Sequence, residues 1–321
     1  MTSFQGPANP TSVTSSDSIP PMAPIAPDGD FRVEEERRNP IARAAYLALL
    51  AFCTLLFVYP FVWIISASFK PRNEVFDNKL IPRHFHPSNY LDVFRGVPDF
   101  VYQANVGRWF FNSFYIATLA AVTVTISSAV VAFAFAYFRF PGRNLLFGLV
   151  LASMMLPGAV TMIPKYLVWH KLGLASSQYP LWATNLFGSA FYIFLQRQFF
   201  LGIPRELFEA ARMDGDSYWS MFRRIAVPIA RPALIVTLIF EFKANWTNFL
   251  DSLIYLRTDD QFTIPRGLYT LLGLFGPSAG GHGDYQVVIA AMVIATVPMI
   301  IIFFLGQRFF IEGIATQGRK G

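Results

Sequence analysis

Trp109-Phe-Phe-Asn-Ser-Phe-Tyr-Ile-Ala-Thr-Leu-Ala-Ala-Val-Thr-Val-Thr-Ile-Ser-Ser-Ala-Val-Val-Ala-Phe-Ala-Phe-Ala-Tyr-Phe138 runs for thirty residues without one charged side chain. About 20 apolar residues cross the hydrocarbon core of a bilayer, and a helix satisfies its own backbone there, so the stretch predicts a membrane span. Ala44 to Phe69, Leu145 to Pro164, Leu172 to Gln196 and Tyr285 to Gln307 are charge-free in the same way. A sixth run, Pro232 to Leu250, is interrupted by Glu241 and Lys243, each of which costs about 3 kcal/mol at mid-helix. It is retained because without it the two chain ends would lie on opposite sides. The expectation is an all-α, polytopic membrane protein with six transmembrane helices within 44–307.

Composition agrees. Of 321 residues, 54% are hydrophobic and 14% charged, against about 25% charged in soluble domains, which argues against an ordinary cytosolic enzyme. Aromatics reach 17% and mean hydropathy is +0.42, so the low charge is apolar bulk and not low complexity. The net charge of +6 forms no basic face, because Lys and Arg are scattered between the apolar runs; it points to membrane topology and away from nucleic acid. Cys53 is the only cysteine, which excludes an intrachain disulfide and leaves a small apolar side chain for helix packing.

Residues 1–43 read as a disordered tail, with six prolines among Ser, Thr and Gly before Asp28. No apolar stretch precedes Ala44, so no signal peptide is expected. Placing this tail, the 139–144 turn, the 197–231 loop and a C-terminal tail (308–321) on one side gives fifteen Lys and Arg there against ten on the other. That side is cytoplasmic by the positive-inside rule, with both termini inside.

The loop 197–231 holds Arg197, Arg205, Arg212, Arg223, Arg224 and Arg231. Within it, Gly202-Ile-Pro-Arg-Glu-Leu-Phe-Glu-Ala-Ala-Arg-Met-Asp-Gly-Asp-Ser-Tyr-Trp-Ser-Met-Phe-Arg-Arg-Ile-Ala-Val-Pro228 spells helix, turn, helix. Pro204 suits a first helical position, Glu206 and Glu209 suit the dipole, and Leu207, Phe208 and Ala211 share a face. Gly215 supplies a left-handed helix end, Asp216 or Ser217 caps a second helix carrying Tyr218, Phe222 and Ile225, and Pro228 closes it. On physics alone two readings compete, an amphipathic hairpin on the bilayer surface and a helix-turn-helix resembling a DNA reader, the second much the weaker because the hairpin is tethered at both ends to membrane.

Glu209-Ala210-Ala211, Asp214-Gly215, Phe222, Ile225 and Pro228-x-x-x-Pro232 resemble the EAA loop of the permease subunits of ABC importers. From Ala44 to Gly321 the chain is similar to the second, six-span permease of maltose-type carbohydrate importers. Asn112-Ser113, Phe140-Pro-Gly-Arg143, Pro157, Pro164, Trp246, Phe249-Leu250 and Gln307-Arg-Phe-Phe-Ile-Glu-Gly313 carry the likeness further, while Asp216, Val227 and the tail core 315–319 depart from it. The resemblance implies a type I ABC importer permease fold in the plasma membrane. It implies partners: a second permease, two ATP-binding subunits holding ATP and magnesium, and an extracellular solute-binding protein. It further implies ATPase coupling through Glu209, Ala210, Ala211, Asp214, Gly215 and Pro228, and through Gln307, Glu312 and Gly313 in the tail. No Gly-x-x-x-x-Gly-Lys-[Ser/Thr] is present, so no ATPase site, cofactor or catalytic residue is expected in this chain, and His84-x-His86 lacks a third ligand for a metal.

Glu241, Asn245, Asn248 and Ser252 recur at spacings of four, three and four, one stripe of a helix. Glu241 lies ten residues beyond Arg231, roughly 15 Å up and near mid-membrane. Two readings stay open: lining of a translocation pathway, or interhelical hydrogen-bond glue. The glycines between Gly273 and Asp284 read as an outer loop, by resemblance the one that reaches the binding protein, otherwise a plain connector. The rival to an importer is a self-contained secondary transporter, which would show inverted repeats and leave the loop hairpin without a task.

Overall fold

The computed structural model describes residues 40–77, 79–95, 105–275 and 283–315, with side chains through Gln307. The expected tail therefore lies outside the described residues except at 40–43, and so does the glycine-rich loop at 276–282. The chain divides into two units, Met1–Leu56 and Phe57–Gly321.

All regular structure among the described residues is helical: α1 Pro40–Ser68, α2 Ser88–Arg95, α3 Val106–Tyr137, α4 Arg143–Ser153, α5 Gly158–Lys171, α6 Tyr179–Ala183, α7 Ala190–Leu201, α8 Arg205–Met213, α9 Tyr218–Met221, α10 Val227–Ile229, α11 Arg231–Trp246, α12 Leu250–Tyr255, α13 Ile264–Phe275 and α14 Tyr285–Ala315. Three stretches, Pro40–Ser68, Val106–Tyr137 and Tyr285–Gln307, are long and apolar enough to cross a membrane unbroken. The charge-free runs foretold these three, α1 starting a turn earlier than expected.

The remaining runs differ from simple spans. Leu145 to Pro164 becomes α4 and α5, bent by 100°. Pro157 is the cause, because its ring and missing N–H cannot continue α4 and its extended backbone (ψ 135°) redirects the chain. Leu172 to Gln196 is not one helix either. Gly173 and Gly188 both sit at positive φ, leaving only the twelve-residue α7 as a substantial helix, about 18 Å long and short of the ~30 Å core. The run Pro232 to Leu250 holds the sixteen-residue α11, bent 79° from the helical stretch before it.

Helix α3 is the central post of the second unit. One face is small and buried, with Ala117, Ala120, Ala121, Ala129 and Ala132 at no more than 3% exposure, so α7 and α11 approach closely. The opposite face leaves Phe111, Ile126 and Val130 exposed, as a surface meeting lipid or another permease does. Buried polar groups fasten the three helices. Gln196 donates to Thr237 Oγ1 at 3.1 Å and to the Thr125 carbonyl at 3.5 Å, and the Ser189 N–H donates to Ser128 Oγ at 3.1 Å. At the Trp109 end of α3, Gly267 is indispensable for packing, because a Cβ there would stand 2.0 Å from the Trp109 ring. Lys70, 1% exposed, donates to the Asp77 and Lys79 carbonyls and ties the loop after α1 into a knot.

Candidate functional site

The 197–231 loop forms the helix, turn, helix that its sequence spells, with a sharper geometry. Pro204 precedes α8 as its cap residue, one position before the first helical residue. At the other end, Gly215 has φ +84°; its N–H donates to the Arg212 carbonyl at 3.1 Å and the Asp216 N–H to the Ala211 carbonyl at 2.9 Å. These two bonds are the Schellman closure, which a left-handed residue completes at little cost only as glycine. Ser217 then caps α9 by accepting from the Ser220 N–H at 3.2 Å, and Asp216 accepts from the Ser220 hydroxyl at 2.9 Å.

The second helix does not stop before Pro228. Residues Phe222–Ala226 widen into a π turn and α10 carries the helical path through Val227–Ile229. The wider turn gives the proline ring room, so the expected boundary is absorbed instead of enforced.

One side chain fixes the loop. Phe208 is 4% exposed and its ring meets Tyr137 at 5.1 Å and Phe133 at 6.0 Å, both on α3. Phe222 and Phe200 close the same cluster around Phe133. Leu207, expected on the packed face, is instead exposed, and Ala211 is half-buried. With Phe208 turned to α3, the other side of the loop is open: Glu209, Ala210, Asp214, Gly215 and Pro228 are all exposed. Met213 and Trp219 stand out beside them at 88% and 60% exposure. No atom lies within 4 Å of where a Gly215 Cβ would be. Apolar groups of this size at the tip of a charged loop are the pattern of a surface that another protein covers.

The mid-membrane stripe is only partly continuous. Glu241, 6% exposed, accepts from Asn245 Nδ2 at 2.9 Å, and Tyr192 and Asn185 approach the same carboxylate. Lys243 is exposed on another side of α11. The helix then breaks at Thr247–Phe249, and Ser252 falls on α12, where it is fully buried and accepts from Thr263 at 2.9 Å. Asn248 bridges the break, its Nδ2 donating to Asp251 at 2.8 Å and its carbonyl accepting from Ser252 at 2.7 Å. In the tail, Gln307 is exposed, and the side chains of Glu312 and Gly313 lie outside the described residues. Among the described residues no group of three His, Cys, Asp or Glu could hold a metal. His84 Nδ1 is paired with Glu74 at 2.7 Å.

A helical core with long apolar spans fastens one side of the loop helix α8 and leaves the other side free, the arrangement of a membrane protein of the transport class. The family it belongs to is that of binding-protein-dependent transport system inner membrane components, whose model matches residues 128–315, from the inner half of α3 to the end of α14. The chain is 34% identical over 288 residues to the arabinooligosaccharides transport system permease protein AraQ of Halalkalibacterium halodurans, covering 89% of this chain and 100% of that one. In fold it resembles a chain of a bacterial ABC transporter involved in the import of the acidic polysaccharide alginate, with TM-score 0.69 and 24% identity over 85% of this chain and 98% of the other. A second solved structure, the bacterial alginate ABC transporter in complex with alginate pentasaccharide-bound periplasmic protein, matches with TM-score 0.60 and 15% identity over 85% and 96%. The fold is thus that of a type I ABC importer permease, and the chain is a transport subunit of the inner membrane without an ATPase site of its own.

Proposed function

We propose that this chain imports a carbohydrate delivered by an extracellular solute-binding protein, as one of two permeases driven through alternating access by two separate ATP-hydrolysing subunits that hold ATP and magnesium. The observation that carries the reading is the orientation of α8, with Phe208 locked into the α3 cluster and Glu209, Ala210, Asp214 and Gly215 turned outward. A hairpin resting on lipid would present an unbroken apolar face; here Phe208, the buried residue of α8, packs within the protein, and the exposed Met213 and Trp219 stand among the charges of Glu209, Arg212 and Asp214. Glu209, Ala210 and Ala211 then meet the ATPase, Gly215 permits close approach, and Pro228 ends the docking element. Gln307, Glu312 and Gly313 extend toward the same partner, Glu241 and Asn245 border the substrate route, and Asn248 and Ser252 brace it. Counting α4 with α5 and α6 with α7 as broken crossings gives six, with both termini cytoplasmic.

The test is purification through a tag on this chain after expression with its neighbouring transport genes, followed by vesicle assays. Co-purified ATPase subunits and ATP-dependent uptake of labelled oligosaccharide are expected. Uptake that persists without any ATPase subunit would identify a secondary transporter instead.

A further inference from the structure

At the end of α3 remote from the coupling loop, three separate segments enclose a pocket of about 280 Å³. The turn at Asp259–Gln261 forms its floor and is held by side chains from the other two segments. Arg108 Nε and Asn112 Nδ2 each donate to the Asp260 carbonyl at 2.9 Å, and Gln178 Nε2 donates to the Gln261 carbonyl at 2.9 Å. Each of these groups has hydrogen-bonding capacity left over: the terminal nitrogens of Arg108 and the amide oxygens of Asn112 and Gln178. The Gln261 Oε1, by contrast, is buried without a partner and closed off from the pocket, so a ligand meets only the groups of Arg108, Asn112 and Gln178. Tyr179 and Trp182, ring centres 6.0 Å apart at 49°, supply aromatic faces on the same pocket.

Flat amide and guanidinium edges beside tilted aromatic faces match one kind of molecule. A sugar ring presents C–H groups on its face, which pack on an aromatic ring, and hydroxyls around its edge, which both donate and accept. An acyl chain would leave the amides unpaired, and an anion would find Arg108 alone beside the carboxylate of Asp260. The volume lies at the small end of ligand sites, sufficient for one ring and not for a chain. From Asn112 to Phe133 is twenty-one residues of α3, roughly 32 Å, so the pocket is on the side from which the substrate comes.

We propose that this pocket is an entry subsite that takes one sugar ring of the incoming saccharide before it reaches mid-membrane; the inference rests on the carbohydrate reading above. The experiment uses the complete importer in detergent, without its binding protein, and measures equilibrium binding of radiolabelled arabinotriose and maltotriose. Trp182→Ala and Gln178→Ala should each weaken binding of the sugar that the importer carries by about five-fold or more, while Trp182→Phe retains it. ATP hydrolysis stimulated by loaded binding protein shows that each variant is assembled. Assembled variants that bind like wild type overturn the subsite and leave sugar import standing. Failure of the wild-type importer to bind or carry either sugar, with uptake of a non-carbohydrate solute, overturns both readings.

Discussion

Tyr137, the last residue of the apolar post α3, and Phe208, in the middle of the loop helix α8, meet edge to face with ring centres 5.1 Å apart at 62°. Phe208 is the only buried residue of its helix, so this contact and its neighbour with Phe133 decide where the outward face points. Phe208→Ala removes the anchor at a cost of about 3–5 kcal/mol if the site cannot collapse. The chain should still insert, but α8 should loosen. Trypsin digestion at Arg205 and Arg212, together with binding-protein-stimulated ATP hydrolysis, checks this. Unaltered protection and full stimulation would mean that the anchor is dispensable.

Gly215→Val separates docking from folding. Within this chain a Cβ at this position meets nothing within 4 Å, so the main internal cost is the left-handed backbone, roughly 1–2 kcal/mol. The variant should insert and melt near wild type yet lose stimulated hydrolysis, because its bulk falls on the surface offered to the ATPase. Glu209→Lys should act alike and also weaken co-purification of the ATPase. Full coupling in Gly215→Val would return the loop to a membrane-surface hairpin.

Glu241→Ala removes the carboxylate that Asn245 reaches at 2.9 Å inside the membrane. Asn245 keeps its bond to the carbonyl of residue 241 at 3.1 Å, while Tyr192 and Asn185 lose the carboxylate they approach, and uptake per inserted molecule should fall. Lys243→Ala, on an exposed side of the same helix, should stay within about 0.5 kcal/mol in stability and transport normally. Normal uptake by both variants would remove Glu241 from the substrate route. Loss of assembly in Glu241→Ala would favour the interhelical-glue reading.

The outer loop carries a pH dependence. The hydrogen bond from His84 holds the Glu74 carboxyl below its ordinary value of 4.5. A carboxyl lowered on folding contributes stability above its unfolded value, and that contribution is lost as pH falls through the folded one. Melting temperature should therefore decline below about pH 4.5 more steeply in wild type than in Glu74→Gln. Parallel curves for the two proteins would show that the pair contributes nothing.

The features legible in the sequence are those that depend on neighbours along the chain. Thirty uncharged residues make α3 a span whatever surrounds it, and Gly215 carries its left-handed turn in its own lack of a β-carbon. Tertiary causes were hidden. Leu172 to Gln196 has the composition of a helix, yet a Cβ on Gly188 would stand 3.2 Å from Ile193 and 3.4 Å from Ser128, a constraint set on another helix. Phe208 and Leu207 are equally apolar; only the position of Tyr137 chooses between them. Ser252 fits the stripe by spacing, but a break at Thr247–Phe249 moves it to a new axis. The outer pocket had no local signal, since Arg108 and Asp260 are 152 positions apart.

Helix α3 is thirty-two residues long, roughly 48 Å, without a proline and with no glycine beyond its first turn. Near its middle the buried group of Gln196, Thr125 and Thr237 holds it to two neighbours. A stiff rod gripped at its centre behaves as a lever: a push on the Phe133 end swings the Asn112 end the opposite way. Under the proposed coupling, a force on the loop would be felt at the turn around Asp260 in reversed direction, without any change in the helix itself. Spin labels at the two ends of α3 would keep a constant separation throughout the transport cycle while both move against α14.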